Sequence, residues 1–167
     1  FQDRPAIRAT LLQTLGDVYR SLGLVDLAAP LLQETLTIRQ QTAATSPTHG
    51  QDLASCLMSL GLLALAKGDL EQAETMIRRA LTTAEEALGK DHVYVAHGLM
   101  NLANVLRERH ELDAAAAALQ RARDILRRDP IQSAPALAAA THNLGAVLFN
   151  QGDTGGAEAC FLEVLEL

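Results

Sequence analysis

A pattern of small and apolar residues that recurs four times along the chain constrains the fold most strongly. Each copy begins with a Leu-Gly or Leu-Ala pair, and the second residues of these pairs, Gly16, Gly61, Ala103 and Gly145, are separated by 45, 42 and 42 residues. A turn residue follows seven positions later, a small residue twelve and a larger apolar residue sixteen positions later: Gly23, Gly68, His110 and Gly152; Ala28, Ala73, Ala115 and Ala157; Leu32, Ile77, Leu119 and Phe161. Periods of this size predict stacked helix-turn-helix units.

Residues 59–81 show the repeating unit in its clearest form. In the first half Leu60 and Ala64 recur at helical spacing, and Gly68 can adopt the left-handed conformation that ends a helix. Asp69 then supplies the N-cap of a second helix, whose apolar residues again form one stripe. Because neither helix can bury its stripe alone, the two are predicted to pair as a hairpin.

The pattern predicts an all-α chain of eight helices in four hairpins. The predicted repeats cover residues 7–45, 51–89, 93–130 and 134–167, and the predicted helices span roughly residues 7–22, 26–41, 51–67, 70–88, 93–109, 112–128, 136–150 and 155–167. Residues 42–50 and 131–135 are rich in turn formers and predict linkers. At 167 residues a single domain, 1–167, is the default. Since the chain starts at Phe1 rather than Met, we expect it to be an excerpt of a longer protein.

Composition and charge exclude several functional classes. The net charge of −6 and a pI near 5.3 argue against a nucleic-acid-binding surface. No apolar run reaches the ~18 residues of a membrane span, so membrane insertion of this segment is not predicted. Cys56 and Cys160 follow neither metal nor disulfide spacing and are predicted to face the core. Four arginines late in the sixth predicted helix indicate a solvated helix end: Arg121, Arg123, Arg127 and Arg128.

The recurring offsets resemble the tetratricopeptide repeat (TPR), in which a Leu-Gly pair precedes a turn glycine, an alanine in the second helix and a larger apolar residue four positions on. The 42-residue step, the linker residues His49 and His92, and the first-helix motifs at 100–103 and 142–145 are similar to the kinesin-light-chain-like subclass. This resemblance implies a right-handed α-solenoid that binds a protein or peptide in a concave groove, without a cofactor, a metal or a catalytic site.

A second resemblance concerns residues 4–32, which are similar to the first repeat of TPR tails on bacterial serine/threonine protein kinases. The 167 residues contain no glycine-rich phosphate loop and no His-Arg-Asp motif, so the segment itself is not predicted to be an enzyme. The resemblance implies a sensor or docking arm. It would lie in the cytoplasm if the parent protein is soluble and on the extracytoplasmic side if the parent is a membrane-spanning kinase.

In TPR arrays the first helices line the groove, and the third and fourth repeats carry the most distinctive side chains there. The predicted peptide-binding residues are Asn101, Asn104, Arg107, Asn143, His97, His142, Met100 and Phe149. The asparagine amides donate and accept hydrogen bonds at once, as contact with a peptide backbone requires. Arg107 suits a carboxylate, while Met100 and Phe149 suit an apolar side chain. The alternative is that the asparagines only bond neighbouring helices.

Other functions find less support in the sequence. The basic residues of the carboxylate clamp that grips chaperone C-terminal tails are missing from the corresponding positions, which include Thr10, Ser55 and Ala139. His97 and His142 have no acidic or cysteine companion at ligand spacing, so no metal site is predicted. The uncapped last helix favours a second hypothesis, homo-oligomer formation, unless a further repeat covers its apolar residues: Phe161, Leu162, Val164 and Leu165.

Overall fold

The computed structural model describes residues 4–42 and 48–166, in which every regular element is an α-helix. Eight helices occur in this part of the chain: α1 (Pro5–Ser21), α2 (Val25–Gln41), α3 (His49–Ala66), α4 (Leu70–Leu88), α5 (Val93–Glu108), α6 (Leu112–Leu126), α7 (Pro130–Gln151) and α8 (Thr154–Glu166). They pack pairwise in sequential hairpins. The predicted fold class, an all-α repeat of helix-turn-helix units, is confirmed.

Each hairpin turn contains one residue in the left-handed backbone conformation. Gly23, Gly68 and Gly152 have φ angles of 76°, 78° and 86°, and His110 takes the same place in the third hairpin with a φ of 62°. A glycine adopts this conformation without the steric penalty that a Cβ atom brings. The third turn is therefore the one that carries backbone strain.

The two helices of a hairpin approach closely at the second residue of the Leu-Gly pair. A Cβ atom built on Gly61 would lie 2.6 Å from Cγ1 of Ile77, and one built on Gly16 would lie 2.8 Å from Cδ2 of Leu32. The small residues twelve positions after the pair are at most 2% exposed: Ala28, Ala73, Ala115 and Ala157. The repeat pattern of the sequence is thus the pattern of the hairpin interface.

The chain divides into two compact units, residues 1–89 and 90–167. In the first unit α1 pairs with α2 and α3 with α4, and α3 also contacts α1 and α2. Leu57 and Ile77 are fully buried in its core. In the second unit α5 pairs with α6 and α7 with α8, and α7 also contacts α5 and α6. Leu119 and Leu137 are fully buried there.

Two helices extend into the predicted linkers. Helix α3 starts at His49, inside the predicted 42–50 linker, of which residues 43–47 lie outside the described part of the chain. Helix α7 starts at Pro130, so the predicted 131–135 linker is wrong. Asp129 caps this helix by accepting a hydrogen bond from the Gln132 N–H at 3.3 Å. A proline is tolerated at the first helical position because that residue needs no N–H donor.

The arginine-rich end of α6 is exposed at Arg127 and Arg128, as the sequence predicts, but it is buried at Arg123. Arg123 is only 8% exposed, and its guanidinium donates a hydrogen bond to Oε2 of Glu163 on α8 at 3.2 Å. Arg127 pairs with the other oxygen of Glu163 at 2.6 Å, and Arg128 pairs with Asp91 at 2.6 Å. Glu163 lies on the neighbouring outer helix, a contact that periodicity along α6 alone does not reveal. The bridges to Glu163 join α6 to α8.

The two thiols lie in the core, as predicted. Cys56 and Cys160 are both buried and free. Burial raises the pKa of the Cys56 thiol to about 12. Among the described helices, none combines the length and the apolarity that crossing a membrane requires.

Candidate functional site

The predicted groove residues of α5 occupy the side of that helix that the hairpin core leaves uncovered. The buried residues of α5 form the opposite side and include Val95, Leu99, Leu102 and Leu106. His97 is exposed, and the other four predicted residues are half-buried: Met100, Asn101, Asn104 and Arg107. Their spacing of three or four residues places all five on one helical face. The face is partly accessible, as a ligand-binding surface must be.

The predicted residues of α7 do not all share one environment. Asn143 is half-buried, whereas Phe149 is 62% exposed near the end of the helix. His142 is exposed, and its ring lies 5.5 Å from the ring of Phe161 on α8. Helix α7 contacts α5, α6 and α8, so its residues divide among three neighbours. His142 is the predicted residue that the structure places against the outer helix α8.

Hydrogen bonding distinguishes the asparagines from one another. Asn101 has an interaction partner in the structure. Asn104 and Asn143 are half-buried, and within residues 4–42 and 48–166 their side-chain amides form no hydrogen bond. The alternative is that these two asparagines only bond neighbouring helices. Within the described residues, no hydrogen bond supports it. Their donors and acceptors are available to a ligand.

Arg107 lies at the end of the α5 face. Its Nη2 donates to Oε1 of the adjacent Glu108 at 3.3 Å, and both side chains are more than 40% exposed. An exposed pair of this kind contributes little energy, so a ligand carboxylate can compete with Glu108. Arg107 also lines a shallow cavity of about 530 Å³ together with Asn150 of α7. Asn150 lies seven positions after Asn143, so helical spacing could have identified it.

The corresponding polar residues of the first unit are bonded to one another. Nε2 of Gln13 on α1 donates to the hydroxyls of Ser55 at 2.7 Å and Ser59 at 3.3 Å on α3. The Ser59 hydroxyl in turn donates to Oδ2 of Asp17 at 3.0 Å. This network connects the first helices of the first unit and leaves fewer open donors and acceptors there. The α5–α7 pair is therefore the better candidate for a site that contacts a ligand through polar side chains.

The donor set of this site suits amide and carboxylate groups. Within the described residues, no group of three or more His, Cys, Asp or Glu side chains lies close enough to hold a metal ion. The predicted residues of α5 and α7 supply carboxamides, one guanidinium and the apolar side chains of Met100 and Phe149. Carboxamides can pair with both the N–H and the C=O groups of a peptide.

Comparisons with known proteins agree with the repeat pattern. Two sequence profiles, each described as tetratricopeptide repeat, match the chain, one over residues 52–128 and the other over residues 8–46 and 137–167. Among solved structures, BtubC (BKLC) from P. vanneervenii is similar with a TM-score of 0.84 and 25% sequence identity, over 97% of this chain and 63% of BtubC. The comparison with curated proteins found no match.

Two further solved structures share the fold at lower identity. The nearly identical TPR-like repeats of a kinesin light chain candidate from Podosopora anserina give a TM-score of 0.81 at 18% identity, over 95% of this chain and 74% of that one. The apo form of RapI gives 0.81 at 16% identity, over 94% of this chain and 54% of RapI. The chain thus spans less than two thirds of the length of BtubC and of RapI.

Proposed function

Because the chain belongs to the tetratricopeptide-repeat family, we propose that its α5–α7 face binds an extended peptide segment of a protein partner. TPR domains generally act as protein-interaction modules, and this chain has the eight-helix architecture of such a module. The single observation that carries the proposal is the pair of half-buried amides on Asn104 and Asn143, which form no hydrogen bond within the described part of the chain.

The chemistry of the face indicates which peptide groups it contacts. Half-buried amides with open donors and acceptors gain most from a partner that supplies both, and an extended peptide backbone does so. Asn101 lies on the same face of α5. Arg107 binds a carboxylate of the peptide at one end of the face. Met100 and Phe149 pack against one of its apolar side chains, and His97 lies at the rim.

A peptide-display selection on the purified chain, followed by calorimetry with the best peptide, tests this function. The double variant Asn104→Ala/Asn143→Ala should weaken binding by about 10- to 50-fold, because each lost hydrogen bond is worth about 1 kcal/mol. Its thermal stability should stay close to that of the wild type, since the structure shows no intramolecular bond for either amide to lose.

Gln120→Ala supplies the matched control. Gln120 is an exposed amide on the outer helix α6, and its hydrogen bond within the described residues is to Asp124 of the same helix, at 3.1 Å. This variant should bind the selected peptide with wild-type affinity. Equal affinities of the double variant and the wild type would show that the amides of the α5–α7 face do not contact the peptide.

A second candidate function, self-association, is favoured by the apolar surface of α8. Phe161, Leu162 and Leu165 are 36%, 55% and 83% exposed. Burying such residues against a second copy would remove apolar surface from water. Sedimentation of the chain over a concentration series should then show a dimer that Leu162→Glu/Leu165→Glu abolishes. A wild-type chain that stays monomeric at every concentration removes this candidate.

An attached kinase stays a prediction from the resemblance of residues 4–32. The matches described above concern the repeats themselves and carry no information on a catalytic domain. If a kinase precedes the repeats, the α5–α7 face would serve as its docking arm. Kinase activity of the full-length protein, measured with and without the display-selected peptide, would then change on peptide binding.

A further inference from the structure

The first unit contains a cavity, and several of its lining residues differ from the residues at the equivalent repeat positions of the second unit. Its volume is about 230 Å³, and it lies between α2, α3 and α4. Its lining residues are Ala29, Gln33, Leu36, Leu60, Leu63, Ala64, Lys67, Gln72 and Met76. All of them belong to the first unit, and none belongs to the α5–α7 face proposed above as a peptide site.

One wall of the cavity carries a different side chain from the equivalent repeat position in the second unit. Leu36 lies twenty residues after Gly16, and Arg123 lies twenty residues after Ala103, so the two share one repeat position. In the second unit the long Arg123 side chain extends from α6 to Glu163 on α8, with Nη1 3.6 Å from the Cys160 thiol. The shorter side chain of Leu36 has no hydrogen-bond donor and cannot form such a bridge. The guanidinium that joins two helices at this repeat position in the second unit therefore has no counterpart in the first.

Helix α4, on the other side of the cavity, also carries different residues from its equivalent, α8. Arg79 occupies the repeat position of Glu163, and Met76 occupies that of Cys160. An arginine at position 36 would face a cation rather than a carboxylate, so the bridge of the second unit cannot form in the first. As a result Leu60 is only half-buried, whereas its equivalent Leu144 is 4% exposed.

The chemistry of the cavity is that of a pocket for an amphiphile. Six of its nine lining residues are apolar: Ala29, Leu36, Leu60, Leu63, Ala64 and Met76. Three exposed polar residues, Gln33, Lys67 and Gln72, also line it, and no acidic residue does. Lys67 forms no salt bridge within the described residues. An apolar cavity of about 150 Å³ holds a six-carbon ring, so 230 Å³ suits an alkyl chain of roughly six to nine carbons.

We propose that this cavity binds a medium-chain alkyl carboxylate, with the alkyl chain against Leu36, Leu60 and Met76 and the carboxylate paired with Lys67. The charge at the mouth selects the headgroup, because an anion gains a cation partner there and a neutral or cationic headgroup does not. The size of the cavity selects the chain length. The site is separate from the peptide-binding face, so either proposal can fail without the other.

The methionine methyl groups supply the assay. The chain has three methionines, Met58, Met76 and Met100, and only Met76 lines the cavity. In a ¹³C-methyl-methionine spectrum of the 167-residue chain, sodium octanoate should shift the Met76 signal saturably. From butyrate to octanoate each added methylene should tighten binding by about three- to four-fold, and the gain should stop near nine carbons. Octanol should bind more weakly than octanoate.

Two variants keep the proposal falsifiable. Leu36→Arg/Arg79→Glu installs the bridge of the second unit and should abolish the Met76 shift while the Met58 and Met100 signals keep their positions. Lys67→Met should remove the preference for octanoate over octanol even if the double variant fails to fold. No Met76 shift at millimolar octanoate, a shift confined to Met100, or affinity independent of chain length would each overturn the proposal.

Discussion

Gly61→Ala tests the claim that small residues set the distance between the helices of a hairpin. Two effects oppose each other at this position. An alanine in a helix interior is favoured over glycine by about 1 kcal/mol. Against this, the new Cβ would lie 2.6 Å from Cγ1 of Ile77, 3.2 Å from its backbone nitrogen and 3.3 Å from the carbonyl oxygen of Ala73. Overpacking of this kind typically costs about 1–3 kcal/mol.

The neighbours of Gly61 decide which effect wins. Ile77 is fully buried and branched at Cβ, so it has little rotamer freedom, and the backbone atoms beside it cannot yield without moving α4. We therefore expect a net loss of about 1 kcal/mol in the free energy of unfolding, which lowers the thermal midpoint by about 2–4 °C. Thermal unfolding followed by circular dichroism measures it.

Gly145→Ala is the matched control at the equivalent repeat position. Its Cβ would lie 2.8 Å from Cε1 of Phe161, whose ring is 36% exposed and can rotate away, and 3.1 Å from Cβ of Cys160, which must shift by only a few tenths of an ångström. The gain in helix propensity should then offset the contact and leave the midpoint within about 2 °C of the wild type. A Gly61→Ala chain more stable than the wild type would refute the reasoning.

Three further predictions concern single residues. Arg123→Met should lower the free energy of unfolding by about 1–3 kcal/mol in urea denaturation, because it removes a buried guanidinium bonded to Glu163. Arg127→Met removes an exposed guanidinium bonded to the same Glu163 and should lower the free energy of unfolding less. His110→Gly should raise the thermal midpoint by a few degrees, since relief of the left-handed strain is worth about 1 kcal/mol; an unchanged or lower midpoint would show that the turn is not strained. Burial raises the pKa of Cys56 to about 12, so its thiol stays protonated in the folded chain and the stability from that burial falls as the pH rises through the window from about 9 to about 12. At pH 8 a thiol reagent should label Cys56 only in denaturant, and rapid labelling of the native chain would contradict its burial.

Much of the fold follows from local residue choices that the sequence displays. The turn glycines and the Leu-Gly pairs have one physical role each, a left-handed backbone in the first case and a close helix crossing in the second. Gly68 and Gly61 illustrate both, and the structure gives them those roles. The first residue of a helix is harder to predict from the sequence than its turn glycine. The start of α7 at Pro130 depends on Asp129 as an N-cap, and a Ser/Pro-rich stretch equally favours a linker.

Contacts between helices account for what the sequence does not predict. Arg123 belongs by composition to a solvated helix end, and its burial depends on Glu163, forty residues later. The cavity beside Leu36 is lined by residues of three helices, α2, α3 and α4, whose contact the sequence does not display. Within the candidate site, the five predicted residues of α5 lie outside the buried side of that helix, and helical spacing does not indicate that His142 lies against Phe161.

Photo-crosslinking from the α5–α7 face tests the central claim most directly. Benzoylphenylalanine is placed at position 149 in one chain and at the exposed outer position 120 in another, and each is irradiated with the display-selected peptide. We expect a crosslink from position 149 that the variant Asn104→Ala/Asn143→Ala removes. We expect no crosslink from position 120. A crosslink from position 120 alone, or one from position 149 that the double variant leaves unchanged, would contradict it.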